Sequence, residues 1–174
     1  MAIRTLSDVE YANKRVLLRA DLNVPFLDGK ISSEARIEAT IPTIKALLSQ
    51  KAKVMIVSHL GRPTADNKQA TSLAPVAKAL SQHLDQKVTL ISDLYTPLNL
   101  NQNNVVLFEN IRWHPGETAN DQALSQHLAS LCDVFVMDAF GTIHRKHAST
   151  YGVTQYAKHS CVGPLIEKEL HAAN

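Results

Sequence analysis

The chain has 174 residues, 45% hydrophobic and 20% charged, and its 18 Lys+Arg against 16 Asp+Glu leave a formal charge of +2. This composition is that of one globular domain, or one with a small appendage, and it excludes long disorder and fibrous repeats. So small a net charge excludes a protein devoted to a nucleic-acid backbone, so any basic site must be local.

The longest apolar runs, such as Val54 to Val57 and Val134 to Met137, fall far short of the roughly 18 residues that span a bilayer, and no membrane partner is expected. Arg4, Asp8 and Glu10 occupy the N-terminus where a secretory signal needs an apolar stretch, which makes the cytoplasm the expected compartment. Cys132 and Cys161 show no CxxC spacing and read as reduced packing residues.

In chain order, Arg15 to Arg19 reads as a short buried strand that stops at Ala20-Asp21. A helix follows over Ile37 to Gln50, with Ile37, Ile41, Ile44, Leu47 and Leu48 on one face and Pro42 within its first turns. Lys53 to Ser58 is a second strand, and Ser72 with Pro75 starts a helix to Leu84. Lys87 to Ile91 and Val105 to Phe108 are further strands, and Asn99 to Asn104 is a loop. Asn120 or Thr118 caps a helix running to Leu131, and Asp133 to Asp138 is a strand rich in β-branched and aromatic residues. The tail, Cys161 to Leu170, is an extended piece and a helix whose Ile166 and Leu170 are expected to lean on following structure.

Strands alternating with helices predict a doubly wound, mostly parallel α/β sheet with helices on both faces. In such sheets ligands bind beyond the carboxyl ends of the strands. There the sequence places Asp21-Leu22-Asn23-Val24-Pro25, Ser58-His59-Leu60-Gly61-Arg62-Pro63, Glu109-Asn110-Ile111-Arg112, and Asp138 through His144-Arg145. Five of the seven arginines, Arg19, Arg36, Arg62, Arg112 and Arg145, lie in or near these ends. Arginine's planar fork suits phosphate or carboxylate, whereas a solvated helix face is served equally well by lysine. The pattern points to a small molecule with two anionic ends and a hydroxyl between them. Its alternative is a set of ordinary ion pairs with Asp21, Glu109 and Asp138.

Other chemistries find less support. The six glycines form neither GxGxxG nor a P-loop. His144 and His147 read as a solvated basic loop rather than a metal pair, and His83, His114, His127, His159 and His171 as surface residues. Asp138-Ala139-Phe140-Gly141-Thr142 resembles the nucleophile motif of haloacid dehalogenase-like hydrolases, but the only acids after it are Glu167 and Glu169, so a carboxylate accepting backbone hydrogen bonds is the plainer reading.

The strand-end motifs, with Asp28-Gly29, Arg36-Ile37 and Pro42-Thr43-Ile44, resemble in order and spacing the N-terminal domain of the phosphoglycerate kinase family, over roughly residues 3 to 170. That resemblance implies that Asp21, Asn23, Arg36, His59, Leu60, Gly61, Arg62, Arg112 and Arg145 bind 3-phosphoglycerate or 1,3-bisphosphoglycerate. His59, Arg62, Arg112 and Arg145 would grip the non-transferred phosphate, with Asp21 and Asn23 at the hydroxyl and carboxyl end. Arg36 would be the catalytic arginine; Arg19, on a strand just before the turn, is left either as a member of this patch or as a simple support for Asp21. The family's second, C-terminal lobe would supply the glycine-rich site for Mg-ATP or Mg-ADP, and this chain has no two adjacent glycines. The resemblance thus implies a glycolytic kinase, monomeric when intact, with residues 1–174 forming a substrate-binding lobe inactive alone. Trp113, Met137, Ile143 and Lys146 depart locally from the family's commonest choices. The other readings are a non-enzymatic module sensing an anionic metabolite and a dehalogenase-like phosphatase.

Overall fold

The computed structural model describes residues 3–101 and 105–172. Its strands are β1 (Arg15–Arg19), β2 (Phe26–Leu27), β3 (Lys30–Ile31), β4 (Lys53–Val57), β5 (Val88–Ile91), β6 (Val105–Phe108), β7 (Val134–Met137) and β8 (Ser160–Val162). The helices are α1 (Ala35–Ser49), α2 (Ala74–Leu84), α3 (Gln122–Ser130) and α4 (Pro164–Ala172). All major predicted elements are present, with ends shifted by a residue or two. Part of the loop read over Asn99 to Asn104 lies outside the described residues.

Six strands form one parallel sheet in the order β5-β6-β4-β1-β7-β8. The strands are short and apolar because both faces are covered, and successive side chains divide between two cores. Val16, Leu18, Val54, Ile56 and Val136 pack with Ile37, Ile44 and Leu47 of α1 and with Val76 and Leu80 of α2. Leu17, Met55, Val57, Phe135 and Met137 pack on the opposite face with Leu124 and Leu128 of α3. The fold is therefore doubly wound. The chain leaves β4 toward the α2 face and β6 toward the α3 face, which opens a crevice between the carboxyl ends of these neighbours.

Some local expectations are corrected. Pro42 stands mid-helix in α1, on its exposed side, where water can reach the Glu38 carbonyl that loses its intrahelical partner. Neither Asn120 nor Thr118 caps α3; Asp121 does, its Oδ2 accepting from Leu124 N at 2.8 Å. His83, His114 and His127 are half-buried rather than surface residues, and His127 Nε2 hydrogen-bonds the Leu94 carbonyl at 2.7 Å. Ile166 is fully buried within the chain itself, while half-buried Leu170 lines a groove with Phe140 and Ile143. Both cysteines are free and buried.

The antiparallel hairpin of β2 and β3 is an addition to the predicted elements. Its turn is Asp28-Gly29, both left-handed at φ 52° and 77°, a two-residue turn whose twist matches that of the flanking strands. Among the described residues no helix is long and apolar enough to cross a membrane.

Candidate functional site

At the carboxyl edge of the sheet, buried Asn110 ties the loop after β6 to two points of the β4–α2 connection. Its Nδ2 donates to the carbonyls of Leu60 at 2.7 Å and Thr71 at 2.9 Å, and its Oδ1 accepts from Leu60 N at 3.3 Å and Arg112 N at 3.1 Å. Asn23 Oδ1 accepts from Gly61 N at 2.9 Å, tying the β1 loop to the β4 loop. Gly61 takes a left-handed φ of 60°, which a side chain would strain. Leu60 buries its side chain in the core and directs both backbone polar groups to Asn110, so its part in this edge is to position the loop.

On this scaffold Arg62, Arg112, Arg145, His147, Pro63 and Thr118 line a cavity of about 360 Å³. Arg112 is half-buried and donates from Nη1 to the Gly61 carbonyl at 3.3 Å, while its Nε and Nη2 are buried without a hydrogen-bond partner. Burial, followed by the repulsion of Arg145, lowers its pKa. His147 Nδ1 is also buried without a partner, and its ring is pushed below the usual histidine range by burial against the pull of Glu117. Three guanidinium groups around one hollow, with two buried Arg112 donors unspent, make a lining whose chemistry suits an anion.

A second hollow, of about 470 Å³, is lined by Arg36, Asn23, Val24, Pro25, Ser33 and Ala35. Arg36 Nη1 donates to the Asn23 carbonyl and lies 3.4 Å from Asp21 Oδ1, which also accepts from Asn23 N at 3.2 Å. The Asn23–Gly61 hydrogen bond joins the loops of the two hollows.

Among the described residues the ion-pair alternative holds for Arg36 and for no other arginine of this edge. Among the described residues no carboxylate lies within ion-pairing distance of Arg62, Arg112 or Arg145. Glu109 and Asp138, the acids expected to neutralise them, are spent on helix starts. Glu109 accepts from Ser72 Oγ at 2.6 Å and Leu73 N at 2.7 Å, fixing the entry to α2. Asp138, 1% exposed, accepts from Thr43 Oγ1 at 3.0 Å and from Leu165 N of α4 at 2.9 Å. A carboxylate sealed in this way cannot reach a substrate as a nucleophile, which removes the phosphatase reading. Burial raises the Asp138 pKa to about 6 against the hydrogen bonds that lower it.

Arg19 also differs from expectation. It is fully buried and makes no hydrogen bond to Asp21; instead Nε donates to Ser149 Oγ at 2.8 Å, Nη1 to the Ala20 carbonyl at 2.7 Å, and Nη2 to His59 Nδ1 at 3.0 Å. Burial brings its pKa down to about 10, opposed chiefly by Glu117. His59 is buried too, and burial together with the charges of Arg19, Arg112 and Arg145 pushes its pKa down to about 2.

The fold thus brings together Arg62, Arg112 and Arg145 at one hollow and Asn23 and Arg36 at the other, with His59 behind them and Leu60 and Gly61 as scaffold. Sequence reasoning passed over Asn110, Glu117, Ser149 and the cavity-lining Thr118. Asn110 sits inside a quoted motif, and a polar residue directly after a fully apolar strand was its one available signal. Trp113 donates from Nε1 to Thr71 Oγ1 at 3.0 Å and carries Lys68 Nζ 4.7 Å from its ring centroid, so this departure is accommodated.

Fold and site together define an α/β Rossmann-like protein with an arginine-rich edge at the carboxyl ends of its strands. Comparison with known proteins makes this specific: the family model described as phosphoglycerate kinase matches residues 6–174, and the chain belongs to that family. It is 50% identical over its whole length to a phosphoglycerate kinase of Legionella pneumophila. A solved phosphoglycerate kinase structure from Coxiella burnetii matches with a TM-score of 0.94 at 46% identity, and one from Pyrococcus horikoshii with 0.88 at 35%, each over 98% of this chain. The chain spans 44% of the length of each of these three relatives.

Proposed function

We propose that this chain is the 3-phosphoglycerate-binding lobe of a phosphoglycerate kinase, an enzyme of glycolysis that moves a phosphoryl group reversibly between 1,3-bisphosphoglycerate with ADP and 3-phosphoglycerate with ATP. The observation that carries the reading is the set of three arginines, Arg62, Arg112 and Arg145, around one hollow, with no ion-paired carboxylate among the described residues. These would hold the non-transferred phosphate together with His59, through charge-assisted hydrogen bonds. Asp21 and Asn23 would meet the hydroxyl and carboxyl end, and Arg36 would swing from Asp21 to the phosphoryl group in transfer. Phosphoryl transfer asks little covalent chemistry of the protein: it needs the reactants aligned and the charge on the equatorial oxygens stabilised, which an arginine does.

The chain has no glycine-rich phosphate cradle, and the reading assigns Mg²⁺ and nucleotide to a C-terminal lobe of the same monomeric, cytoplasmic enzyme. Bound there, Mg-nucleotide would supply the phosphoryl acceptor and neutralise its charge. Residues 1–174 alone would bind substrate without catalysing transfer, because alignment and water exclusion need both lobes.

The test is a titration of this chain followed by backbone amide NMR. Saturable shifts at Asn23, Gly61 and Arg145 are expected with 3-phosphoglycerate, and none with Mg-ADP. A well-folded sample that ignores 3-phosphoglycerate overturns the reading for this chain.

A further inference from the structure

Behind the basic hollow a line of buried groups leads to His59, and three of them, Glu117, Ser149 and Arg19, have no part in the substrate-binding reading. Glu117, fully buried in the loop before α3, accepts from Ser149 N at 2.8 Å and from Ser149 Oγ at 2.6 Å. Ser149 Oγ in turn accepts from Arg19 Nε, and Arg19 Nη2 meets His59 Nδ1. Every member is buried and each comes from a different loop or strand of the carboxyl edge. The Ala148 N–H also donates to the Glu117 carbonyl at 2.9 Å, which locks the two loops that carry the far end of the line.

The proton positions along it follow from chemistry. A carboxylate only accepts, so Ser149 spends its single hydroxyl proton on Glu117 and its lone pair on Arg19. A guanidinium only donates, so the His59 nitrogen it meets must carry a lone pair, which excludes both the imidazolium and the tautomer protonated at Nδ1. The proton of the neutral ring is left at Nε2, and the His59 ring makes no other hydrogen bond among the described residues. The charged groups acting on the ring are Arg19 from β1, Arg112 after β6, and Arg145 and His147 after β7, and all of them oppose a positive charge on it.

We infer that Glu117, Ser149 and Arg19 form a positioning chain that holds His59 as a neutral imidazole with its one N–H at Nε2, ready to donate to the substrate's anion. Glu117 supplies the countercharge that lets a fully buried Arg19 stay charged, and Ser149 relays it in a fixed direction. The site gains a hydrogen-bond donor that adds no further positive charge to three crowded arginines. Arg19, Ser149 and Glu117 act through His59 and are not catalytic residues. The part of the inference that concerns the anion rests on the proposed function, whereas the protonation state does not.

The test is a long-range ¹H–¹⁵N correlation spectrum of the ligand-free chain labelled at its 8 histidines, with the His59 signals identified by their loss in His59→Gln. His59 is expected to show a lone-pair nitrogen at Nδ1 and a proton-bearing one at Nε2, unchanged from about pH 8 to about pH 5, a range in which an ordinary histidine titrates. Arg19→Lys keeps the charge but loses the fork, so the ring should mix tautomers and 3-phosphoglycerate affinity should fall about tenfold, the effect of one lost charge-assisted bond. Ser149→Ala cuts the relay with a smaller steric change and carries the test should Arg19→Lys fail to fold. It should also mix the tautomers, which a residue that merely packs would not do. An unmodified chain with His59 charged or protonated at Nδ1 overturns the inference, as does a folded Ser149→Ala variant with the ring unchanged. Should 3-phosphoglycerate fail to bind while the ring behaves as expected, the functional reading falls and the positioning chain stands.

Discussion

Two arginine regions of this molecule use the same side chain in opposite ways. At the amino edge of the sheet, Arg15 of β1 is held by Asp133, with Nε 3.3 Å from Oδ2 and Nη2 3.1 Å from Oδ1, while its own backbone N–H donates to the same carboxylate at 2.8 Å. The guanidinium holds the Asp133 carboxyl below its usual range, and the pair closes on itself. At the carboxyl edge, Arg62, Arg112 and Arg145 share one hollow, and among the described residues no carboxylate lies within ion-pairing distance of them. The acids that sequence proximity offers to this edge, Glu109 and Asp138, are turned away to the starts of α2 and α4. Arg62 and Arg145 keep their charge in contact with water, while half-buried Arg112 keeps Nε and Nη2 buried without a hydrogen-bond partner, so the guanidinium forks of this edge stay uncommitted where that of Arg15 is spent.

Substitutions can break or sharpen this contrast. The largest effect is expected for Arg36→Ala in a full-length kinase carrying this chain: transfer should fall about a thousandfold or more, with substrate binding weakened only modestly. Steady-state kinetics check this, and unchanged kcat refutes the role given to Arg36. Asn110→Ala strips partners from Leu60, Thr71 and Arg112 at once. It should cost about 3 kcal/mol or more in urea unfolding, and the arginine hollow should lose its order with it. Arg62→Ala or Arg145→Ala should leave the fold intact and weaken 3-phosphoglycerate binding by roughly ten- to hundredfold, readable by calorimetry.

A pH effect comes next. Because burial raises the Asp138 pKa to about 6, the folded state holds this proton more tightly than the unfolded chain, whose carboxyl has its ordinary value of 3.8. Its contribution is therefore fully present below the unfolded pKa and is lost as pH rises through the folded one. Asp138→Asn should flatten the stability profile across that window, as denaturation at stepped pH will show. The smallest effect is expected for Arg15→Ala. Its side chain is 43% exposed, so stability should change by about 1 kcal/mol or less, and ligand binding should not change at all.

Much of the fold was legible in the sequence. Apolar runs bounded by polar residues marked the strands Arg15–Arg19 and Val105–Phe108 at their observed limits, because burial on both faces leaves a strand little choice of side chain. The Asp28-Gly29 hairpin was readable as well, since two adjacent left-handed residues favour this pair, yet strands of two residues each carry almost no periodicity. Helix caps were harder. Asn120, Asp121 and Thr118 are all competent caps by type, and only the direction in which the chain enters α3 selects Asp121.

The sequence by itself determined the α/β class, the order of strands and helices along the chain, and the collection of arginines and polar residues at the strand ends. All of these follow from local periodicity and from the rule that parallel strands present the same end to solvent. Tertiary structure alone decided which arginine is paired and which is free. It turned Asp138 to Thr43, 95 positions away, joined Glu117 to Ser149 across 32, and set Arg19 against His59 across 40. Residue type states what a side chain can donate or accept, but its partner is set by distance in space, and in a wound sheet that distance is fixed by crossovers no local pattern records.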